Sequence, residues 1–204
     1  MKAQTKETQS SLTPENALDM LVEGNSRYVK NIRAPRDLKA QVSETGTGQF
    51  PFAAILGCID SRVSPELLFD QGIGDIFSVR VAGNIVNEDV LGSLEYACKV
   101  AGSKLILVLG HTGCGAVAAA CRQVELGNIT ALLEKIGPAV QTVRTSDEPM
   151  TGEEIERVTL KNVRHSMEMI RRESPILAKM EVDGEIEIVG ALYNVEDGVV
   201  RFRV

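Results

Sequence analysis

Two short stretches of the chain combine residue types that can bind a metal ion and act beside it, Cys58–Arg62 and His111–Cys114. Cys58 and Asp60 are two residues apart, so in an extended chain their side chains point the same way. His111 and Cys114 are three residues apart across a predicted strand-to-helix turn, which lets both reach one ion. Two thiolates and a neutral imidazole suit Zn²⁺ and balance its charge. The sequence therefore predicts a zinc site in which water or Asp60 takes the fourth position.

The chemistry of such a site depends on that fourth position. Zinc lowers the pKa of a bound water to roughly 7, which provides a nucleophile at neutral pH. Arg62 is close enough to Asp60 for a charge-assisted pair that keeps the carboxylate ionised. A site with three protein ligands and an open position is typical of catalysis, whereas closure by Asp60 is typical of a structural or resting site.

The other cysteines and the second histidine have simpler interpretations. Cys98 and Cys121 lie on predicted apolar helix faces, where a free cysteine behaves as a small apolar side chain. His165 lies within a predicted helix without a partner pattern and is interpreted as a surface or packing residue.

Both candidate stretches follow apolar runs that predict buried strands, at residues 52–57 and 104–110. Further strands are predicted at 76–81, 186–193 and 200–204, the last two joined by a tight turn at Asp197-Gly198. Helical patterns alternate with these strands, which predicts an α/β fold with helices on both faces of the sheet. About four strands are parallel and the C-terminal strand is an antiparallel edge. Ligands bind outside the carboxyl ends of such strands, so both stretches should meet at one rim.

The chain is predicted to be a single domain over residues 1–204. Residues 1–12 are expected to be a flexible arm, and 13–47 an N-terminal helical arm with an amphipathic helix at 14–30 and a polar linker after it. Residues 48–204 form the catalytic α/β core. In the core, one further helix is predicted at 128–146, and a capping box of Thr151 and Glu154 opens a long helix.

Composition excludes several classes of function. The formal charge of −6 over 204 residues and a pI near 5.1 argue against nucleic-acid binding. The sequence has no apolar run long enough for a membrane span. Its first residues are polar and lack the apolar core of a signal peptide, so we expect a cytoplasmic protein, although export through a removed leader is also compatible with the sequence. Four cysteines do not make a disulfide scaffold.

Taken together, Cys58-x-Asp60-Ser61-Arg62 and His111-x-x-Cys114-Gly115 resemble the motifs of the β-class carbonic anhydrases. The resemblance extends from about Gly48 to Arg201, and four further segments are in register, at 48–51, 80–84, 95–97 and 197–198. It implies reversible hydration of carbon dioxide to bicarbonate and a proton, with one Zn²⁺ per chain. It also implies that Cys58, His111 and Cys114 bind the zinc and that Asp60 and Arg62 are the catalytic dyad.

The same resemblance implies a substrate pocket and an assembly. The substrate-binding residues would be Gln49, Phe77, Gly83, Asn84, Tyr96 and Gly115. The family's unit is a dimer with active sites at the interface, often doubled to a tetramer, so a homodimer or homotetramer is expected. The helix at 14–30 would then pack on the partner.

A non-catalytic bicarbonate site found in part of the family needs Trp, Arg and Tyr. Arg80 and Tyr193 match, but Ile55 stands at the tryptophan position and the chain has no tryptophan. Without that regulation, and because Arg62 competes with zinc for Asp60, an open site is expected at about pH 8.

Two alternative functions remain compatible with the sequence. One is hydrolysis of CS₂ or COS by the same site, as in some relatives of this fold. The other is a structural zinc module that serves protein interaction, although such a module needs neither Asp60 nor Arg62. A carbon dioxide hydration assay with and without a chelator distinguishes these alternatives.

Overall fold

Five strands form one sheet within residues 2–204, the part of the chain that the computed structural model describes. The strands are β1 (Ala53–Gly57), β2 (Ile76–Arg80), β3 (Leu105–His111), β4 (Glu187–Tyr193) and β5 (Val200–Phe202). Their order is β2-β1-β3-β4-β5, and only the β4–β5 pair is antiparallel. The predicted α/β fold, mainly parallel with an antiparallel C-terminal edge, is confirmed.

Helices cover both faces of this sheet. They are α1 (Lys6–Ser11), α2 (Pro14–Val29), α3 (Leu38–Thr45), α4 (Pro65–Leu68), α5 (Glu88–Glu95), α6 (Gly115–Cys121), α7 (Gly127–Glu134), α8 (Gly137–Gln141), α9 (Gly152–Glu173) and α10 (Pro175–Val182). A 3₁₀ turn follows β2 at Ala82–Asn84, and one π-helical turn at Tyr96–Val100 continues α5. None of the helices between residues 2 and 204 combines the length and the apolar character needed to span a bilayer.

The two central strands, β1 and β3, are buried along their whole length, as their continuous apolar runs predict. On one face they pack against α2 and α4, and on the other against α5, α9 and α10. Glycine lets α9 approach the sheet closely. A Cβ added at Gly110 would lie 2.5 Å from Val163 Cγ2, and one at Gly190 would lie 2.7 Å from Met167 Sδ. The position of α9 is therefore fixed close to the end of β3.

The N-terminal arm differs from its prediction. Within the predicted flexible arm 1–12, of which Met1 lies outside the described residues, Lys6–Ser11 is helical. Gln9 is buried there, and its Nε2 donates to Pro51 O at 2.7 Å and to Ala101 O at 2.8 Å. The predicted linker also contains a helix, α3, capped by Asp37. These elements depend on contacts with the distant core, which local sequence does not show.

Helix α2 packs on the sheet of its own chain, where Ala17, Leu18 and Leu21 are buried. Val22 and Val29 of the same helix are exposed, so the expected packing of this helix on a partner stays a prediction. Asn25 fixes its position: Nδ2 donates to Leu68 O and Gly198 O, and Oδ1 accepts the Val200 N–H. Because all three of these bonds are buried, the arm is anchored to β5 and α4 of the same chain.

Three further elements differ from the sequence prediction. The single helix expected at 128–146 is two short helices, α7 and α8, because Gly137-Pro138 starts a new one. Helix α10 was not predicted. The last strand ends at Phe202, since Arg203 takes a left-handed φ of 57° that an extended strand does not allow.

Asp70 links the arm to the core through a buried ion cluster. Its carboxylate accepts from Arg27 Nε and Arg36 Nη1, each at 2.6 Å, and from the Ala34 N–H at 3.1 Å. Burial raises the pKa of Asp70, but these three donors outweigh burial and the pKa is lowered overall. A carboxyl with a lowered folded-state pKa stabilises the protein above its unfolded-state pKa of about 4, and this contribution is lost as the pH falls through the folded value.

We expect Asp70→Asn to unfold more easily than wild type at pH 7 by about 3 kcal/mol, because two arginines lose their buried partner. The difference should narrow below about pH 4, as the wild type loses the same contribution. Denaturant titrations at fixed protein concentration over this pH range measure both effects. Asp19→Asn, at an exposed position of α2, is the control. A difference that stays constant down to pH 3 would contradict this account.

Candidate metal centre and active site

Three potential ligands lie together at the carboxyl rim of the sheet. Cys58 directly follows β1, His111 is the last residue of β3, and Cys114 is the N-cap of α6. The pairing of Gly57 with Leu109 brings the two strand ends side by side. One ligand atom from each of the three residues lies within 4.8 Å of the other two, and all three residues are buried.

The neighbour of His111 indicates which tautomer its neutral ring adopts. Nδ1 lies 3.0 Å from Thr112 O, and a carbonyl can only accept, so Nδ1 carries the proton and Nε2 is an acceptor. Nε2 is buried and has no hydrogen-bond partner among residues 2–204. Leaving such an acceptor unpaired costs roughly 1–3 kcal/mol. A borderline-soft cation beside the two sulfurs would satisfy it, so the donor set fits a metal ion.

The two thiols divide one negative charge unequally. A hydrogen bond from Cys114, with a smaller contribution from the Gly83 N–H, outweighs burial and lowers the pKa of Cys58 to about 4. The same contact with Cys58, together with burial, raises the pKa of Cys114, although N–H groups in the first turn of α6 oppose this effect. A cation beside both sulfurs would favour the thiolate form of each.

Cys98 and Cys121 lie among apolar side chains and outside the ligand group. Burial alone raises the pKa of Cys98 to about 12, and burial also raises the pKa of Cys121 against the opposing charges of Arg144 and Arg122. Both thiols therefore stay protonated and pack as apolar groups.

Asp60 and Arg62 form a two-bond ion pair beside the ligands. Arg62 Nε donates to Oδ1 at 2.9 Å and Nη2 donates to Oδ2 at 2.8 Å, while the Arg62 backbone N–H also donates to Oδ1 at 3.0 Å. These bonds hold the pKa of Asp60 well below its usual range. The carboxylate is committed to Arg62 and is not among the grouped ligand atoms. This is the arrangement expected of an open site.

The end of β2 supports the first ligand. Arg80 Nε donates to Cys58 O at 3.0 Å and Nη2 donates to Asp60 O at 2.7 Å, so one guanidinium holds both backbone carbonyls. The Gly83 N–H donates to Cys58 Sγ at 3.3 Å. Gly83 has a φ of 68°, and an added Cβ would lie 2.7 Å from Ile136 Cδ1. Only glycine fits this turn without strain.

Helix α9 holds two turns beside the candidate ligands, the turn at Gly83 and the turn between His111 and Cys114. Asn162 Nδ2 donates to Gly83 O at 2.8 Å, Ser166 Oγ donates to Asn84 O at 2.9 Å, and Glu156 Oε1 accepts the Gly113 N–H at 2.9 Å. Sequence reasoning assigned no role to these three residues. Polar residues at i and i+4 on the buried side of the helix, Asn162 and Ser166, were a usable signal, whereas Glu156 offered none.

The predicted substrate residues separate into two groups. Gly83 and Gly115 adjoin the ligands, and Asn84 is buried beside them with its carbonyl held by Ser166.

Gln49, Phe77 and Tyr96 lie elsewhere in the chain. Gln49 is exposed and precedes β1, at the end of the strand opposite to Cys58. Phe77 pairs with Ala54, three residues before the Gly57–Arg80 pair at the rim, or about 10 Å away. Its ring packs edge-on against Tyr96, with centroids 6.3 Å apart. One chain alone therefore does not assemble the predicted pocket.

A buried cysteine–histidine–cysteine cluster on the rim of a parallel sheet, with an ion-paired carboxylate next to it, defines a metalloenzyme of the α/β class. The family model described as carbonic anhydrase matches residues 53–200. The chain is 36% identical over 191 residues to carbonic anhydrase 2 of Mycobacterium tuberculosis, covering 91% of this chain and 90% of that protein. It is 34% identical over 197 residues to the carbonic anhydrase of Mycolicibacterium smegmatis, with 93% of each covered.

Among solved structures, the β-carbonic anhydrase CcaA superposes with a TM-score of 0.72 at 26% identity, over 91% of this chain and 86% of that one. The chain belongs to the β-carbonic anhydrase family.

We expect Gly83→Ala to weaken metal binding by about tenfold, because the added methyl displaces the N–H that supports Cys58 Sγ. Strain at the left-handed position should also lower the free energy of unfolding by about 1–3 kcal/mol. Competition with a chelating dye and denaturant titration measure the two effects. Gly92→Ala is the control, since a Cβ at that position of α5 meets nothing within 4 Å. Metal affinity equal in both variants would show that the Gly83 contact is unimportant.

Proposed function

We propose that this protein catalyses the zinc-dependent, reversible hydration of carbon dioxide to bicarbonate and a proton. The proposal rests on one observation: the side chains at the rim form two separate groups, a set of metal donors and an ion pair. Two thiols and the unpaired Nε2 of His111 are grouped as donors, while Asp60 is held outside that group by Arg62. A structural zinc module would need no such pair. The family and the fold support the same reaction.

Cys58, His111 and Cys114 would hold one Zn²⁺ per chain. Two thiolates and a neutral imidazole match its preferred donors and balance its charge. When bound, zinc lowers the pKa of a coordinated water to roughly 7 and so supplies a nucleophile at neutral pH.

Asp60 orients the reacting hydroxyl group and stays ionised while doing so. Oδ1 already accepts two N–H groups from Arg62, whereas Oδ2 accepts one. Oδ2 therefore keeps acceptor capacity for a hydroxyl proton. Arg62 is half-exposed at the rim, and its guanidinium fixes the plane of the carboxylate. The pair selects a nucleophile that presents a lone pair to the substrate and its proton to Oδ2.

We propose further that Gln49, Phe77 and Tyr96 complete the active site of a neighbouring subunit, as a homodimer or homotetramer would allow. All three are remote from the ligands of their own chain. Phe77 belongs to β2, an edge strand of the sheet, and Tyr96, which packs against Phe77, is 55% exposed. An unpaired edge with an exposed aromatic group next to it favours association with a second copy. The aromatic rings would give the apolar substrate an apolar wall.

The central test of the proposed reaction is Cys114→Ala. We expect this variant to lose zinc and carbon dioxide hydration together, because the donor set falls below three. Elemental analysis and a stopped-flow pH-indicator assay measure the two quantities. Cys121→Ala, a buried cysteine on the same helix, should keep both. Full zinc content in Cys114→Ala would remove Cys114 from the ligand set, and zinc-loaded wild type without hydration activity would overturn the proposed reaction.

The shared site predicts complementation between two inactive chains. Cys114→Ala lacks a metal site but keeps Gln49, and Gln49→Ala has the opposite defect. Random mixing in a two-fold dimer gives half heterodimers with one intact site each, so about a quarter of wild-type activity should return after the two chains are refolded together. Each variant refolded alone is the control. No recovery, in a mixture shown to contain heterodimers, would place Gln49 in its own chain's site, and full activity of Gln49→Ala refolded alone would place Gln49 outside catalysis.

A further inference from the structure

Glu156 contacts the turn between two of the metal ligands, although it is 43 residues away from that turn in sequence. It lies on α9, is partly buried, and accepts the Gly113 N–H through Oε1 at 2.9 Å. A hydrogen bond from a backbone N–H to a carboxylate is charge-assisted and stronger than one between neutral groups. The proposed reaction gives this carboxylate no role.

The N–H that Glu156 accepts belongs to the same peptide unit as the carbonyl that accepts from His111. That unit joins Thr112 C=O to Gly113 N–H, and His111 Nδ1 lies 3.0 Å from the Thr112 oxygen. A peptide unit is planar and rigid, with its C=O and N–H pointing to opposite sides. The Glu156 carboxylate and the His111 imidazole therefore bind opposite edges of the same peptide plane. Hydrogen bonds arranged in such a chain polarise and strengthen one another.

We propose that Glu156 is a positioning residue of the metal centre, which acts on His111 through the Thr112–Gly113 peptide. In many metalloproteins a carboxylate or carbonyl accepts the second ring N–H of a histidine ligand, which fixes its tautomer and its orientation. Here the carbonyl does so directly, and the carboxylate holds that carbonyl in place. The result is a free Nε2 aimed at the ligand group. This inference rests on the proposed metal site.

The Gly113 half of the turn needs such support. Gly113 has a φ of 63°, and an added Cβ would meet nothing within 4 Å, so packing does not hold it. Two hydrogen bonds hold the Thr112 half of the turn. The Thr112 N–H donates to Tyr193 O at 2.9 Å, and the Thr112 hydroxyl oxygen accepts the Val195 N–H at 3.1 Å. On the Gly113 half, the other contact is Arg62 Nη2 at 3.4 Å from Gly113 O, which is longer and weaker. Glu156 is thus the main anchor of that half.

Helix α9 is a rigid base for this anchor. Its first turn is fixed by the reciprocal capping box of Thr151 and Glu154, and Val158 and Thr159 are buried one turn further on. The tight contact between Gly110 and Val163 keeps the helix against β3. Side chains placed on rigid elements hold a site more accurately than those on loops.

The test compares two substitutions at one position in the zinc-loaded protein. Glu156→Gln keeps an acceptor for the Gly113 N–H, whereas Glu156→Ala removes it. We expect the rate of zinc transfer to an excess of chelator to rise about tenfold or more in Glu156→Ala. Glu156→Gln should stay within about threefold of wild type, since its amide oxygen still accepts. Glu153→Ala, an exposed glutamate in the first turn of the same helix, is the matched control.

A second readout reports on the imidazole itself. The chain has two histidines, so His165→Gln assigns the ring N–H signals of His111 by proton NMR. The Nδ1 proton of His111 should move upfield and exchange faster with solvent in Glu156→Ala, but not in Glu156→Gln. A merely structural loss of stability would not produce this selective change. Should Glu156→Ala fail to fold by circular dichroism, Glu156→Asp, with a carboxylate one methylene shorter, gives the same comparison.

Each result has one meaning. Faster zinc release and a shifted His111 signal in Glu156→Ala, both restored by Gln, support the inference. Behaviour of Glu156→Ala identical to Glu153→Ala overturns it. Zinc release that is equally fast in Glu156→Gln and Glu156→Ala also overturns the inference, because the charge and not the hydrogen bond would then be responsible. A wild-type protein that binds no zinc would instead defeat the proposed function.

Discussion

The structure depends on burying three metal-binding donors at one point of an apolar rim. Cys58, His111 and Cys114 come from the ends of neighbouring strands and from the start of a helix, and each is at most 4% exposed. Polar groups taken out of water must find partners or the fold loses stability. His111 satisfies one ring nitrogen with Thr112 and leaves the other for a cation. The sheet, whose parallel pairing sets these positions, and the surrounding hydrogen bonds both serve this arrangement.

Support for the donors comes from elements that are distant in sequence. Strand β2 ends in Arg80, which holds the carbonyls of Cys58 and Asp60, and continues into the turn that gives its N–H to Cys58 Sγ. Helix α9 holds that turn through Asn162 and the second ligand turn through Glu156. One helix thus braces both halves of the metal site, and glycines in β3 and β4 allow it to lie close enough to do so.

The features predictable from sequence are those with local signals. Continuous apolar runs marked β1 and β3, and cysteine and histidine at their ends marked the candidate ligands. The Thr151 capping box marked the start of α9. The supporting roles of Arg80 and Glu156 were not predicted, because both are ordinary polar residues until the fold brings them to the rim. The docking of the N-terminal arm was not predicted for the same reason, since Gln9 and Asn25 donate to carbonyls in elements that are distant in sequence. Local patterns carry no information about such long-range bonds.

The candidate metal donors and the Asp60–Arg62 pair lie in different environments. The donor group lies in the interior, where every support comes from the same chain, while Asp60 and Arg62 lie at the exposed margin. Asn25 and Asp70 also dock the N-terminal arm on the core of its own chain. The β2 edge, which carries Phe77 and has Tyr96 packed against it, is unpaired within this chain. Under the proposed function, metal retention would therefore be a property of one folded chain, whereas a second copy would supply the substrate wall. A change that disrupts association should impair substrate handling before it affects the metal.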